Sequence, residues 1–209
     1  LHHRRRPADR WRADRPAWCV IMSALFEELD YRRTVLGELI LRRRRILKLD
    51  RDVVEVILND EHLMSDIFTA SEIALATLPM ALLEAAGRTN ADILVGGLGL
   101  GYTADAVLRS EAAGSLAVVE YLAPLIEWHE AGILPLGRRL ADDPRCRFIE
   151  GDFFALARSD DGFDPQAPGR RFDGIFLDID HSPDFHLNPS HAGFYLSLIH
   201  ISEPTRPLD

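Results

Sequence analysis

The chain of 209 residues has little sulfur chemistry to offer: its two cysteines, Cys19 and Cys146, lie far apart and form no ligand-spaced cluster. That scarcity argues against a disulfide framework or a thiolate metal site and favours a reduced, cytoplasmic setting. No window approaches the roughly 18–20 uninterrupted apolar residues of a membrane span. The first fifteen residues are rich in arginine with no apolar run behind them, so no secretory leader is expected there. No G-x-S-x-G elbow occurs and no Cys–His pairing suggests itself, which argues against hydrolase chemistry. His181, His186 and His191 flank Asp184 at five-residue intervals in a Pro-containing loop. That spacing matches no recognised ligand set, and no metal is expected.

Positive charge is also scarce through the body of the chain. Of the net charge of −9, the first 21 residues contribute six arginines against two aspartates, and the last fourteen one arginine against Glu203 and Asp209. The segment between therefore carries −12. So acidic a body argues against nucleic acid or a membrane as partner and suits a small cationic amine, with a homodimer left open.

Both ends read as foreign to the pattern. Residues 1–21 have neither helical nor strand periodicity and are expected to be non-native or disordered, with patterned sequence starting at Met22. Residues 196–209 read as an artefactual tail: Leu196–Arg206 back-translates to a string resembling a transposon-end sequencing adapter. Native sequence is accordingly expected to stop near Tyr195.

Residues 22–68 are expected to form a small N-terminal β domain. Within it, 34–64 carries short Val, Ile and Leu runs broken by Gly37, Asp50–Asp52 and Asn59–Asp60, the mark of an antiparallel unit. The basic run Arg42–Arg45 reads as solvated strand or turn positions in preference to an anion site. "TASE" at 69–72 has the form of a T-x-x-E capping box, ahead of a helix that ends near Gly87, with Pro79 as a candidate kink. From 69 to 195 the pattern alternates, with strands expected at 92–96, 116–120, 146–150 and 173–178. Helices are expected at 102–110, 123–131 and 153–158. Such alternation implies an α/β fold, a Rossmann-like, doubly wound parallel sheet covered on both faces.

The first strand runs into glycines in "DILVGGLGLGYTA" at 92–104. A tight strand-to-helix turn needs positive φ, and a missing Cβ lets backbone amides approach a ligand at the helix start. Gly99-x-Gly101-x-x-Ala104 fits a dinucleotide fingerprint, while Gly97-x-Gly99-x-Gly101 fits a nucleoside-sulfonium (S-adenosylmethionine) site. Either reading wants an acid about 20 residues later, where Glu120 closes "SLAVVE" and can accept ribose hydroxyls. In "CRFIEGDFFAL", Asp152 is placed to accept the adenine amino group with Phe153 against the base, and it can also cap the helix that follows. The fourth strand, "FDGIFLDIDHSP", ends in Asp178, Asp180 and His181. These face the crevice at the C-terminal edge, where an acid can take the proton an attacking amine must lose.

Four segments together resemble the spermidine synthase-like (polyamine aminopropyltransferase-like) branch of class I S-adenosylmethionine-dependent transferases. They are "ILVGGLGLGYTADAVL", "LAVVEYLAPLIEWH", "DDPRCRFIEGDFFAL" and "RFDGIFLDIDHSP". "LGELILRRRRILKL" and "NDEHLMSDIFTASEIALATL" resemble the small β domain and gate helix that precede the nucleotide domain in that family. The likeness runs in order over residues 22–195 and implies a cytoplasmic transferase of polyamine biosynthesis. Carried over by position, Gly97, Gly99 and Gly101 hold the nucleoside, Glu120 the ribose and Asp152 the adenine. Asp178 handles the attacking amine. The implied co-substrate is S-adenosylmethionine or its decarboxylated form, and the implied reaction moves an aminopropyl group to an amine. The family's sheet has seven strands against about four here, so the outer edge of the fourth is expected to be open and to favour aggregation.

The chain also departs from the family. Leu98 and Leu100 flank Gly99 where polyamine synthases read G-G-G-D-G, Asp178-Ile179-Asp180-His181 stands for D-S-S-D, and Ala70-Ser71-Glu72 stands for a Tyr-His-Glu segment. Methyl transfer on the same fold therefore stands beside aminopropyl transfer. A nicotinamide-dependent oxidoreductase and a non-catalytic nucleoside-binding protein remain as readings from other classes.

Overall fold

The computed structural model describes residues 25–179. The chain divides into two compact units, Leu1–Ile67 and Phe68–Asp209.

The first unit is an antiparallel meander of four strands in sequential order: β1 (Phe26–Thr34), β2 (Gly37–Ile46), β3 (Arg51–Leu58) and β4 (Glu61–Ser65). A single 3-10 turn, Leu47–Leu49, joins β2 to β3. Asn59 and Asp60 both take positive φ, 51° and 67°, between β3 and β4. Those are the dihedral signs of a two-residue hairpin turn whose twist matches its strands. β1 lies inside the expected 22–68 domain but ahead of the apolar runs at 34–64 that marked its strands. In "FEELDYRRT" acids and arginines obscure the period of two, because this strand meets the arginine run of β2 across the ladder.

That run resolves by strand alternation. Arg42 and Arg44 share one face and both reach Glu55 of β3, at 2.8 and 2.6 Å, while Arg43 pairs with Glu27 at 3.0 Å and Arg45 with Asp50 and Asp52. Glu55 is only 3% exposed. Burial pushes its carboxyl upward, but the guanidinium hydrogen bonds outweigh burial and hold it below the ordinary glutamate range. Replacing the carboxylate by an amide keeps the shape and removes the charge-assisted bonds. Glu55→Gln is expected to lower stability by about 1–2 kcal/mol, since both arginines keep access to water. The urea midpoint of the full chain checks this, and an unchanged midpoint would mean that the arginines rehydrate without cost.

The second unit opens with α1 (Ala70–Ala85), which runs through Pro79. Its capping box does not form: Thr69 stands at the N-cap position, but its side chain makes no capping bond, and its ψ of 11° lies outside the extended region such a cap needs. The Glu72 carboxylate instead accepts from Ser71 Oγ at 2.7 Å. The C-terminus is closed by Gly87 at φ 70°, with the Gly87 amide donating to the Glu84 carbonyl and that of Arg88 to Leu83. This is the Schellman pattern.

Strands β5 (Ala91–Gly96), β6 (Ala113–Glu120), β7 (Cys146–Glu150) and β8 (Gly174–Leu177) follow, alternating with α2 (Tyr102–Leu108), α3 (Ala123–Glu130), α4 (Gly137–Ala141) and α5 (Phe153–Ala157). All pair in parallel in the order β7-β6-β5-β8. The short α4 was not expected; five residues are too few to show a helical period. Alternation along β5 and β6 splits the core into two layers. Ile93, Val95, Leu116 and Val118 pack with Ala76 and Met80 of α1 and Ala104 and Val107 of α2. Leu94, Ala117 and Val119 pack with Ile149, Phe153 and Phe154. Burial on both faces explains why these strands read as unbroken apolar runs.

At the N-terminal ends of the strands, the Pro/Gly-rich loop is tied down by buried Asp164, which pairs with Arg147 and, at 3.3 Å, with Arg170. Arg170 also donates to Ser115 Oγ at 2.6 Å and Asp92 at 3.1 Å. The opposite, C-terminal edge carries the candidate site. There the chain order reverses between β5 and β8, the switch point at which open α/β sheets hold their ligands.

Candidate active site

Strand β5 delivers the glycine turn. Gly97, Gly99 and Gly101 all take positive φ, at 94°, 49° and 91°, and the turn closes with the Gly101 amide donating to the Leu98 carbonyl at 2.8 Å. At Gly97 the requirement is strict: a Cβ would lie 2.0 Å from the Asp178 backbone oxygen. At Gly101 it would lie 2.4 Å from a Leu140 methyl and 2.9 Å from the His129 ring. The leucines between the glycines point away from water, Leu98 being 3% and Leu100 5% exposed. Leu98 belongs to the same core layer as Ile93 and Val118. The loop is therefore seated on the hydrophobic core, and its two interglycine side chains are apolar and buried.

Glu120, at the end of β6, holds this loop from the side. Its carboxylate is buried and accepts from the Leu98 amide at 2.9 Å on one oxygen and from the Leu122 amide at 2.8 Å on the other. Burial raises its pKa, and the amides of Leu122, Leu98, Gly99 and Tyr121 pull in the opposite direction. With these amides converging on it, the carboxylate is engaged chiefly by the loop it holds.

His129 of α3 was not singled out in the sequence, where it looks like any residue of an amphipathic helix. It is fully buried, and its Nε2 lies 2.9 Å from the Gly99 carbonyl oxygen. Since that oxygen can only accept, Nε2 carries the hydrogen. Nδ1 is then a bare acceptor, and it has no hydrogen-bond partner among the described residues. The ring tilts against Phe148 at 5.7 Å. Burial lowers its pKa to about 4, with the Gly99 hydrogen bond opposing.

On β7, the Gly151 amide donates to the Glu120 carbonyl at 2.9 Å, which brings the two strand ends together. Asp152 is exposed and caps α5, its Oδ1 accepting from Phe154 and Ala155 amides at 2.9 and 3.1 Å. Both bonds fall on Oδ1 and leave Oδ2 for another donor. Phe153, expected against the base, is instead only 3% exposed. Its ring packs beside Gly96, where a Cβ would come within 2.6 Å of it, and against Phe163 with centroids 4.9 Å apart. The first position of α5 faces the second core layer, which is why the ring is turned inward. Tyr121, directly after Glu120, is 47% exposed and is the open aromatic beside this acid.

On β8, the Asp178 amide donates to the Gly96 carbonyl at 2.7 Å, fixing this residue beside the glycine turn. Its Oδ2 accepts from Thr103 Oγ1 at 2.6 Å, and the same hydroxyl lies 3.1 Å from the Glu72 carbonyl oxygen. Burial raises the Asp178 pKa; the Thr103 hydrogen bond lowers it and the Glu72 charge raises it further. Asp180 and His181 lie outside the described residues. Among the described residues no group of three or more His, Cys, Asp or Glu is placed to hold a metal, and no helix is long and apolar enough to cross a membrane.

The parallel order and the glycine turn at the switch point define a Rossmann-like α/β fold, preceded in the chain by an antiparallel sheet. Within that class the fold is spermidine synthase-like. A solved spermidine synthase in complex with the transition-state analogue AdoDATO is 17% identical, with a TM-score of 0.56, covering 78% of this chain and 50% of its own. The spermidine synthase from Thermotoga maritima is 18% identical, with a TM-score of 0.53, covering 72% of this chain and 48% of its own. The chain thus spans about half the length of the solved enzymes it matches. No protein-family model and no curated protein sequence matches it.

The buried imidazole makes stability depend on pH. Its folded pKa of about 4 lies below the ordinary 6.5, so the unfolded chain binds the proton more readily. The contribution is complete above pH 6.5 and is lost as pH falls toward 4, by about 3 kcal/mol in all. In His129→Gln, whose amide can still donate to Gly99, the slope of stability against pH across this window is expected to shrink. Equal slopes in urea titrations of the two proteins would place the effect on another group.

Proposed function

We propose that this chain is the nucleoside-binding and acid-bearing part of a transferase that uses an adenosyl sulfonium and acts on a small cationic amine. The observation that carries this reading is the set of acids at the ends of β6, β7 and β8, Glu120, Asp152 and Asp178, around the glycine turn that follows β5 at the sheet's switch point. The first two suit an adenosine: Glu120 closes β6 beside the glycine turn, where a ribose would lie, and Asp152 has Oδ2 left for the adenine amino group. Asp178 suits the amine, because a carboxylate with a raised pKa accepts a proton closer to neutrality than an ordinary aspartate.

The sulfonium supplies an electrophilic carbon and a neutral thioether leaving group. As the amine nitrogen bonds to that carbon, the carbon–sulfur bond breaks and its electron pair stays on sulfur. Asp178 takes the proton that the new ammonium releases. The negative edge also draws two cations together, which eases the approach of like charges.

Aminopropyl transfer from decarboxylated S-adenosylmethionine is the leading form of the reaction, supported by the likeness to spermidine synthases. Methyl transfer is the second, and one observation favours it. Leu98 and Leu100 are buried, so the loop presents no carboxylate to an ammonium tail of the co-substrate.

Titration calorimetry with S-adenosylmethionine, its decarboxylated form and NAD distinguishes these readings. Binding of either sulfonium without NAD binding is expected; NAD binding alone would sink the proposal. In a transfer assay Asp178→Asn is expected to reduce turnover about 10²–10⁴-fold while leaving sulfonium binding in place. Unchanged turnover would remove Asp178 from the chemistry.

A further inference from the structure

Thr103 sits where three parts of the second unit meet. It is a buried residue in the first turn of α2, and its single hydroxyl is within hydrogen-bonding distance of two acceptors, Asp178 Oδ2 from β8 and the Glu72 carbonyl oxygen from α1. A threonine hydroxyl has one hydrogen and two lone pairs, so it can donate to only one of them at a time. The distances, 2.6 Å to the carboxylate and 3.1 Å to the carbonyl, show which acceptor holds the hydrogen while Asp178 is ionised.

We propose that Thr103 is a positioning residue for proton transfer, switching its hydrogen from Asp178 to the Glu72 carbonyl when Asp178 becomes protonated. This rests on the reading of Asp178 as the acceptor of the amine's proton. In the ionised state Thr103 donates to Asp178 Oδ2. When the proton arrives on Asp178, its new O–H donates to Thr103 Oγ1, and the threonine hydrogen turns to the Glu72 oxygen. One proton enters, and one O–H turns about its C–O bond. Thr103 Oγ1 and Asp178 Oδ2 keep each other as partners in both states, so neither state strands this buried pair.

Among the described residues the groups acting on Asp178 are few. The charged one among them is the Glu72 carboxylate on α1, α2 contributes Thr103, and the β5 turn contributes the Gly96 carbonyl that accepts from its amide. Asp180 and His181 lie outside the described residues. Thr103 therefore has a clear share in setting when Asp178 takes up its proton.

The test follows Asp178 directly. The 209-residue chain is prepared with carboxyl-labelled aspartate, the Asp178 resonance is assigned with Asp178→Asn, and its titration is followed by carbon NMR. Thr103→Val removes both donor and acceptor at nearly equal volume. Because the bond to the ionised carboxylate is the stronger of the two lost, the Asp178 titration is expected to move upward by roughly one pH unit, a tenfold change in proton affinity. Thr103→Ser is expected to restore it, and Thr103→Ala replaces the valine variant if that one does not fold. A titration that stays in place in the valine or alanine variant, or one that serine fails to restore, overturns the proposal. The pH profile of transfer separates this from the reading it rests on. If the acidic limb follows the NMR titration, both stand; if Asp178 shifts and the limb does not, Thr103 still governs Asp178, but Asp178 is not the proton acceptor.

Discussion

The candidate site depends on one contact: the buried Glu120 carboxylate gripping the amides of Leu98 and Leu122. A glycine turn with three positive-φ residues has many conformations open to it, and glycine gains little by choosing one. Glu120 makes the choice by offering an acceptor to amides that would otherwise be buried without one. The same side chain ties the end of β6 to the end of β5, so the position of the loop relative to the sheet follows from one carboxylate. His129 supports the turn from α3 by binding the Gly99 carbonyl, and together the two side chains engage both the donors and the acceptors of the loop.

The two faces of the sheet are apolar, whereas its C-terminal edge is acidic, and the division follows from strand alternation in β5 and β6. Side chains along these strands enter one core layer or the other, leaving polar groups only where the strands end. The acids therefore gather on one edge without any of them being an interior defect. Their burial comes from neighbours at that edge, which is why Glu120 and Asp178 are both shifted toward the neutral form.

Much of this was legible in the sequence, for physical reasons that can be named. The parallel strands were visible because burial on both faces produces unbroken apolar runs, and the glycine turn because φ restricts residue type so strongly. Glu120, Asp152 and Asp178 were singled out by their expected position at strand ends, and the structure places them there. Other features were hidden. β1 carries charges whose partners lie on the next strand, so its alternation cannot be read from the strand alone. "TASE" has the letters of a capping box, but the backbone at Thr69 does not take the shape that would use them. Phe153 beside Asp152 suggested a ligand face, although only the packing beside Gly96 determines which way the ring turns. Thr103 and His129 act through contacts 75 and 30 residues away along the chain, and no local pattern marks such partners.

The position of Asp178 has one more consequence. β8 is only four residues long and, among the described residues, is hydrogen-bonded to β5 on one side alone. An edge strand this short opens more readily than the central pair, because fewer bonds must break together. The acid that the proposal assigns to the amine therefore follows the shortest strand of the sheet, whereas Glu120 closes the central β6. Anything that pairs along the outer side of β8 would stiffen the Asp178 end of the edge while leaving the Glu120 contacts untouched.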